Sequence, residues 1–185
     1  DSKQDFAVTN YNDDSVVVFL GNGNGTFSNR KGYYSGTSPD FITAADFNND
    51  GKTDLASCNA NSSDVAVFLG NISGVMTHAG NYMADMFPSC IATGDFNSDS
   101  KIDIAVATGG TGISILIGNG LGVFNGVTPV PCTYSPSTII AADFNNDNKL
   151  DLATANTYSD NAQIFTGLGN GGFNAGSIIN SSSQP

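Results

Sequence analysis

One segment of this 185-residue chain, Asp46-Phe-Asn-Asn-Asp-Gly-Lys-Thr-Asp-Leu-Ala56, is present three times. It returns as Asp95-Phe-Asn-Ser-Asp-Ser-Lys-Ile-Asp-Ile-Ala105 and as Asp143-Phe-Asn-Asn-Asp-Asn-Lys-Leu-Asp-Leu-Ala153, at steps of 49 and 48 residues. A partial copy opens the chain at Asp1-Ser-Lys-Gln-Asp5. Self-similarity at a fixed step of this size is typical of repeat architectures, so we expect about four copies of one structural unit.

Two further landmarks keep the same step. A glycine-rich turn, Gly21-Asn-Gly-Asn-Gly-Thr-Phe27, recurs at residues 70–76, 118–124 and 167–173, and a proline recurs at positions 39, 88 and 136. Three landmarks in phase predict a single domain or segment over residues 1–185, with units at approximately 1–39, 40–88, 89–136 and 137–185.

Each unit contains short stretches of β-branched, aromatic and small residues, which are typical of strands. We name them strand A, before the Asp-rich loop (Phe41–Ala45), strand B, after it (Asp54–Cys58), strand C, before the glycine-rich turn (Val65–Leu69), and a weaker strand D after that turn. Four antiparallel strands in 40 to 50 residues are the size of one propeller blade. The sequence therefore predicts an all-β β-propeller of four-stranded antiparallel blades, the first lacking its strand A. A sandwich would not require four equal units.

The composition excludes several other classes of protein. All 17 acidic residues are Asp, only six residues are Lys or Arg, and the formal net charge is −11. A helical bundle is disfavoured because Glu is absent. The acidic surface argues against nucleic-acid binding, and no apolar run approaches the ~20 residues of a membrane span. No secretion-signal pattern follows Asp1, so we expect any such signal to have been removed or to lie outside this sequence.

The three complete loops share the pattern D-x-N-x-D-x-K-x-D. Oxygen ligands at positions 1, 3, 5 and 9, with the backbone carbonyl of the Lys at position 7, suit Ca²⁺ better than Mg²⁺, which keeps more of its water. An EF-hand is excluded because position 12 is not Glu and strands flank the loop. The sequence therefore predicts about three calcium sites, with ligands Asp46, Asn48, Asp50, Lys52 and Asp54; Asp95, Asn97, Asp99, Lys101 and Asp103; and Asp143, Asn145, Asp147, Lys149 and Asp151.

The alternative is that these residues only build turns, because Asp and Asn cap their own backbone without a metal. Turn chemistry does not require three carboxylates per loop, and unpaired carboxylates would repel one another. Position 6 is Gly51 in one loop but Ser100 and Asn148 in the others. Because Ser adopts a left-handed backbone less readily than Gly or Asn, the middle site is expected to be the weaker one.

The loop, the Leu-Ala that follows it and the Gly-Asn-Gly-x-Gly-x-Phe turn resemble the FG-GAP or VCBS repeat of integrin-α-type β-propellers. The resemblance covers nearly the whole chain. It implies that the Asp and Asn residues at loop positions 1, 3, 5 and 9 are calcium ligands. It also implies a non-enzymatic adhesion, glycan-binding (lectin-like) or matrix-scaffold module. The alternative that it leaves open is the accessory propeller of a larger secreted hydrolase or lyase.

Catalytic motifs are missing from the sequence. His78 is the only His, there is no Gly-x-Ser-x-Gly motif, and a pair of catalytic carboxylates would have to use Asp alone. The glycine-rich turn has no Lys-Ser/Thr after it and opens a strand, so it is a hairpin turn and not a phosphate cradle. We therefore predict that the chain is not an enzyme.

Several features favour an extracellular setting, either secreted or at the cell surface. Four glycosylation sequons begin at Asn24, Asn61, Asn71 and Asn180, so the chain is a candidate glycoprotein. External calcium is millimolar, which suits weak Asp-rich sites. The three cysteines, Cys58, Cys90 and Cys132, leave two alternatives open: three free thiols, or one disulfide between Cys90 and either of the others.

The repeat pattern is incomplete at both ends. The chain starts inside an Asp-rich loop and stops where the next strand A would begin, so neither end carries the strand that the first unit lacks. We therefore expect these residues to pair with the rest of a larger ring or with an adjacent subunit; head-to-tail pairing would give a filament. The expected partners are a glycan or an extracellular protein, and copies of the chain itself.

Overall fold

The computed structural model describes residues 3–110, 112–156 and 158–180, and these form an all-β fold. Fifteen strands are present in the described residues. They are β1 (Phe6–Asn10), β2 (Ser15–Gly21), β3 (Phe27–Tyr34), β4 (Pro39–Ala45), β5 (Asp54–Asn59), β6 (Asp64–Gly70), β7 (Met76–Met83), β8 (Pro88–Gly94), β9 (Asp103–Thr108), β10 (Gly112–Gly118), β11 (Phe124–Pro131), β12 (Thr138–Ala142), β13 (Asp151–Asn156), β14 (Asn161–Gly167) and β15 (Phe173–Asn180). A 3-10 turn, Tyr11–Asp13, joins β1 to β2. No helix in the described ranges has the length and apolarity needed to cross a membrane.

The strands form four antiparallel sheets, each an up-and-down meander in chain order. The first sheet has the three strands β1-β2-β3, and the others have four each: β4-β5-β6-β7, β8-β9-β10-β11 and β12-β13-β14-β15. We call these sheets units 1 to 4. The first strand of each complete sheet is strand A, and unit 1 has only strands B, C and D in the described residues. Strand D, which the sequence indicated only weakly, is eight residues long in every unit.

The sheets stand side by side like blades. Strand β4 packs beside β8, and β8 packs beside β12, so the A strands line one side of the assembly, and β1 takes the corresponding place beside β4. The central strands are buried on both faces because a neighbouring sheet covers each face; every residue of β5 and β9 is buried. The predicted β-propeller of four-stranded antiparallel blades is confirmed.

A glycine ends strand C in each unit because the Asp-rich loop passes directly over it. A Cβ placed on Gly70 would lie 2.1 Å from the carbonyl oxygen of Thr53, and one on Gly118 would lie 2.2 Å from that of Ile102. No side chain fits at that distance, so glycine is required here by a close backbone approach and not by its dihedral angles.

The phenylalanine at loop position 2 joins unit 2 to unit 3 and unit 3 to unit 4. Phe47 of unit 2 packs edge-to-face on Phe124 of unit 3, with ring centroids 5.6 Å apart, and Phe96 of unit 3 does the same with Phe173 of unit 4, also at 5.6 Å. The rings of Phe47 and Phe96 are almost completely buried. Phe144 of unit 4 occupies the same loop position and is 44% exposed. We call these three residues the wedge phenylalanines.

The cysteines are all free thiols in the structure, which is the first of the two alternatives that the sequence left open. Cys58 and Cys90 are buried, and Cys132 is partly exposed. Burial raises the pKa of Cys58 to about 12 and that of Cys132 to about 11. Both are therefore protonated at neutral pH and behave as small apolar residues.

We predict that buried and exposed wedge phenylalanines differ clearly in their contribution to the free energy of unfolding. Phe96→Ala should lower the free energy of unfolding by about 3–5 kcal/mol, because it empties a buried site between two sheets. Phe144→Ala should cost less than half of that, because nearly half of its side chain is already in water. Chemical denaturation of the two variants beside the parent chain measures both values. Equal losses would contradict the wedge role.

Candidate metal centres

The first seven positions of each Asp-rich loop form a tight turn held by its own side chains. In unit 2, the amide of Asp50 donates to Asp46 Oδ1 and to Asn48 Oδ1, each at 3.1 Å, and the amide of Gly51 donates to Asp46 Oδ2 at 2.8 Å. The amide of Lys52 donates to Asp50 Oδ1 at 2.9 Å. The oxygens of positions 1, 3 and 5 therefore surround one short run of backbone.

The loops of units 3 and 4 repeat this arrangement. Asp95, Asn97 and Asp99 accept from backbone amides at 2.7–3.1 Å, as do Asp143, Asn145 and Asp147 at 2.8–3.2 Å. Position 6 is left-handed in all three loops, with φ of 77° at Gly51, 63° at Ser100 and 64° at Asn148. The expected left-handed backbone at position 6 is thus present, including at the serine, where it is costliest.

The carboxylate at position 9 has a different role from the side chains at positions 1, 3 and 5. Asp54 Oδ2 accepts from the amide of Phe47 at 2.9 Å, and Asp54 Oδ1 accepts from the amide of Gly70 at 2.8 Å. Asp103 and Asp151 make the same two bonds in units 3 and 4, and all three side chains are fully buried. Each of these aspartates thereby fastens the Asp-rich loop to the glycine that ends strand C.

The electrostatics of the loop separate the inner and outer carboxylates. Burial raises the pKa of Asp54, and the nearby carboxylates of Asp50 and Asp46 raise it further, against the two amides that lower it. In contrast, the Lys52 ammonium lies 2.8 Å from Asp50 Oδ2 and is the main cause of a lowered pKa at Asp50. Lys101 pairs with Asp99 in the same way at 3.3 Å. In units 2 and 3, one lysine at the rim of the loop thus offsets part of the negative charge that the loop concentrates.

The donor set fits a hard cation in its chemistry. It consists of oxygen atoms only, and those of positions 1, 3 and 5 converge within one turn, which is the class of ligand that Ca²⁺ prefers. Across residues 3–110, 112–156 and 158–180, however, no group of three or more His, Cys, Asp and Glu side chains lies close enough together to hold a metal. Two features account for this: the position-9 carboxylates face the backbone, and position 3 is Asn. The calcium sites and their ligands remain predictions.

The remaining predicted residues lie at the surface. Asn24, Asn61 and Asn71 are exposed, as sequon asparagines must be, and the sequon of Asn180 continues into residues outside the described ranges. Asp5 occupies position 9 of the partial first loop and accepts from the amide of Gly21 at 2.8 Å, whereas Asp1 is outside the described ranges. His78 is exposed and pairs with Asn81 at 2.6 Å.

A second group of residues at the opposite end of the sheets was not predicted. The B–C and D–A connections meet there, as shown by the amide of Gly109, which donates to the carbonyl of Phe87 at 3.1 Å. Large apolar side chains project from these connections: Met86, Phe87, Tyr134 and Tyr158 are 57%, 60%, 38% and 95% exposed. Phe87 has a left-handed backbone, with φ of 53°, which is unfavourable for a bulky residue. Because these residues do not repeat from unit to unit, no periodic signal could have identified them.

The repeated antiparallel sheets define a β-propeller, and sequence comparison identifies the family. The model of the FG-GAP-like repeat matches residues 1–57, 46–106 and 95–154. The chain therefore belongs to the FG-GAP-like repeat family. No curated protein matches it.

Solved structures agree on the fold. A lectin of Agrocybe aegerita, described as specifically recognising non-reducing terminal N-acetylglucosamine, has a TM-score of 0.60 at 18% identity, over 89% of this chain and 46% of its own. A protein from Lactobacillus plantarum has a TM-score of 0.68 at 12% identity, over 97% of this chain and 54% of its own. The chain thus spans about half the length of each. At these identities the likeness concerns the fold alone.

The position-9 aspartate gives a prediction that does not depend on metal. In calcium-free buffer, Asp103→Asn should lower the free energy of unfolding by about 1–3 kcal/mol, because the amide group of Asn cannot accept from both buried backbone N–H groups. Asp99→Asn, in the exposed part of the same loop, is the matched control and should change stability by less than about 1 kcal/mol. Equal effects in urea denaturation would show that Asp103 has no special structural role.

Proposed function

We propose that this chain is a non-enzymatic, extracellular glycan-binding or adhesion module whose propeller units are stabilised by calcium. The observation that carries the proposal is the threefold recurrence of an all-oxygen loop at the same place in successive blades. A catalytic centre would be singular, whereas a structural ion is needed wherever the same loop must be held. Calcium therefore has a structural role in this proposal.

Calcium would reduce the electrostatic repulsion among the carboxylates of a loop. In units 2 and 3, the carboxylates at positions 1, 5 and 9 lie near enough for the charges of the outer two to raise the pKa of the buried one. A divalent cation held by positions 1, 3 and 5 and by the carbonyl of position 7 would neutralise that charge, in place of the lysine at the rim. Three ions would also offset more than half of the net charge of −11.

The glycan part of the proposal is supported by the fold and by the exposed aromatic residues. The Agrocybe aegerita lectin shares the fold over most of this chain, and its recognition of terminal N-acetylglucosamine makes that sugar the first to test. Phe87, Tyr134 and Tyr158 offer exposed rings at the end of the sheets away from the Asp-rich loops. Aromatic rings pack against the apolar faces of sugars, and a strained residue such as Phe87 is characteristic of ligand sites.

The calcium proposal predicts one ion per complete loop. Isothermal titration of the chain should give about three Ca²⁺, and Asp50→Ala should give about two while the other loops stay loaded. With free calcium twenty times above Kd, each site contributes about 1.8 kcal/mol, so EDTA should lower Tm by several degrees. Asp40→Ala, an exposed aspartate outside the loops, is the control and should keep all three ions. An unchanged Tm in EDTA would refute the structural role.

The glycan proposal predicts saturable binding of oligosaccharides that end in N-acetylglucosamine. Phe87→Ala and Tyr134→Ala should weaken that binding by about tenfold, because each removes an exposed ring from the end that we assign to the ligand. Leu121→Ala is the control, since Leu121 is 70% exposed but lies in a glycine-rich turn at the other end. Absence of binding across a glycan array would argue against a lectin. Turnover of a polysaccharide by the chain alone would overturn the non-enzymatic proposal.

A further inference from the structure

The connections at the end of the sheets away from the Asp-rich loops form one continuous surface. Successive connections are joined by amide-to-carbonyl hydrogen bonds, from Ser35 to Asp14 (3.0 Å), Ala60 to Ser38 (2.9 Å), Ala84 to Ser63 (2.9 Å) and Gly109 to Phe87 (3.1 Å). The hydroxyl of Ser135 donates to the carbonyl of Gly109 at 3.4 Å and adds the connection ahead of unit 4. We call this surface the connection face; it comprises residues 11–14, 35–38, 60–63, 84–87, 109–110, 132–137 and 158–160.

The charge of the connection face has one sign. Its charged residues are all aspartates, and it carries no Lys, Arg or His; the aspartates are Asp13, Asp14, Asp85 and Asp160. The six basic residues of the chain lie elsewhere: Arg30 and Lys31 in strand β3, Lys3 beside the first glycine-rich turn, and the other three in the Asp-rich loops. The face therefore presents a negative potential that attracts cations and repels anions.

Three exposed aromatic rings on this face each have an aspartate two residues away in the sequence. Exposed aromatic and apolar side chains gathered at one place mark interaction sites in proteins. A ring beside a carboxylate offers two complementary contacts, because the ring accepts an apolar or cationic group and the carboxylate accepts hydrogen bonds from an ammonium group. The aromatic–aspartate pairs are Tyr11 with Asp13, Phe87 with Asp85, and Tyr158 with Asp160.

The middle pair is fixed in place by the neighbouring unit. The carbonyl of Phe87 accepts from the amide of Gly109, and a Cβ placed on Gly110 would lie 2.4 Å from Asp85 Oδ2. The amide of Asp85 donates to the hydroxyl of Ser114, which is buried, at 3.2 Å. The two glycines therefore leave room for the carboxylate and the ring to stand together at the boundary of units 2 and 3.

A buried acceptor lies at the base of the third pair. Asn156 ends strand β13 and is 2% exposed; its amide group donates to Asn161 Oδ1 at 2.8 Å, but no donor reaches its Oδ1 within residues 3–110, 112–156 and 158–180. Its repeat counterpart Asn59 accepts from the hydroxyl of Ser35 at 2.6 Å, and Cys132 replaces that serine ahead of unit 4. Because buried acceptors are normally satisfied, this one points to a donor that is supplied from outside.

We propose that the connection face binds a cationic amino-sugar polymer, a chain of glucosamine units whose amino groups are free and protonated. The rings of the aromatic–aspartate pairs pack against the C–H faces of the sugars, and the aspartates accept from the ammonium groups. This inference rests on the proposed glycan-binding function and specifies its sugar. A basic peptide is a poorer match, because lysine carries its charge on a flexible stem without a rigid apolar face.

The test compares two matched probes, a linear hexasaccharide of glucosamine and its fully N-acetylated form. Both are titrated into the 185-residue chain at about pH 5.5, where aspartates and sugar amines are charged. We expect the glucosamine form to bind about tenfold more tightly, because it alone carries positive charge. Raising NaCl from about 0.05 M to about 0.5 M should remove most of this difference, because salt screens exposed charges.

Single substitutions of equal charge locate the binding. Asp85→Asn and Asp160→Asn should each weaken binding of the glucosamine hexasaccharide about threefold and leave binding of the N-acetylated form unchanged. Asn125→Lys is the matched control: it also raises the net charge by one unit, but Asn125 is exposed at the other end of the sheets. It should leave both affinities unchanged.

The outcomes separate this inference from the proposal on which it rests. Absence of binding by both hexasaccharides would overturn the inference and the glycan-binding proposal together. Equal binding of the two, a preference for the N-acetylated form, or an equal loss with Asn125→Lys would overturn the inference alone. A hexalysine peptide that binds as tightly as the glucosamine form would also overturn it, and would assign the connection face to basic peptides.

Discussion

The architecture depends on a fully buried aspartate in each complete unit, Asp54, Asp103 or Asp151. Its two oxygens accept from the amide of the wedge phenylalanine and from the amide of the glycine that ends strand C. One carboxylate therefore sets the spacing between the Asp-rich loop and the adjacent hairpin. The loop then holds its own oxygens in place and also directs the phenylalanine into the next sheet. This residue therefore contributes to the fold, to the candidate metal centre and to the packing between blades.

The same aspartate shows why a loop can need a cation. A carboxylate without solvent is tolerated here because two backbone amides satisfy it, and yet burial and two nearby carboxylates still raise the pKa of Asp54 and of Asp103. The protein accepts this electrostatic cost in units 2 and 3. A bound divalent ion would remove part of the cost at each, and stability would then follow the concentration of that ion in the surroundings.

Most of the fold could be predicted from the sequence because the units repeat. The step of 48 to 49 residues, the glycine-rich turns and the alternation of strands required blades of four strands, and the structure has them. The loop residues were predicted as a group, and the structure places the side chains of positions 1, 3 and 5 around one turn. The different roles of the residues within the loop could not be predicted. Nothing in the D-x-N-x-D-x-K-x-D pattern distinguishes the carboxylate at position 9 from the others. The distinction needs the structure, in which Gly70 lies beside Asp54. Strand D appeared weak in the sequence because most of its residues are exposed, as in β7 and β15, so it lacks a continuous apolar run.

The wedge phenylalanines give the chain a direction. Units 2 and 3 each insert a ring into the unit that follows, so the contact surfaces on the two sides of a unit are different and complementary. Duplication or loss of a stretch of gene preserves this matching only when it adds or removes a complete step of about 48 residues from any starting point. A partial step would place a ring opposite a surface that has no glycine turn to receive it. The geometry of Phe47 and Phe96 thus constrains how the gene of this chain can change in length.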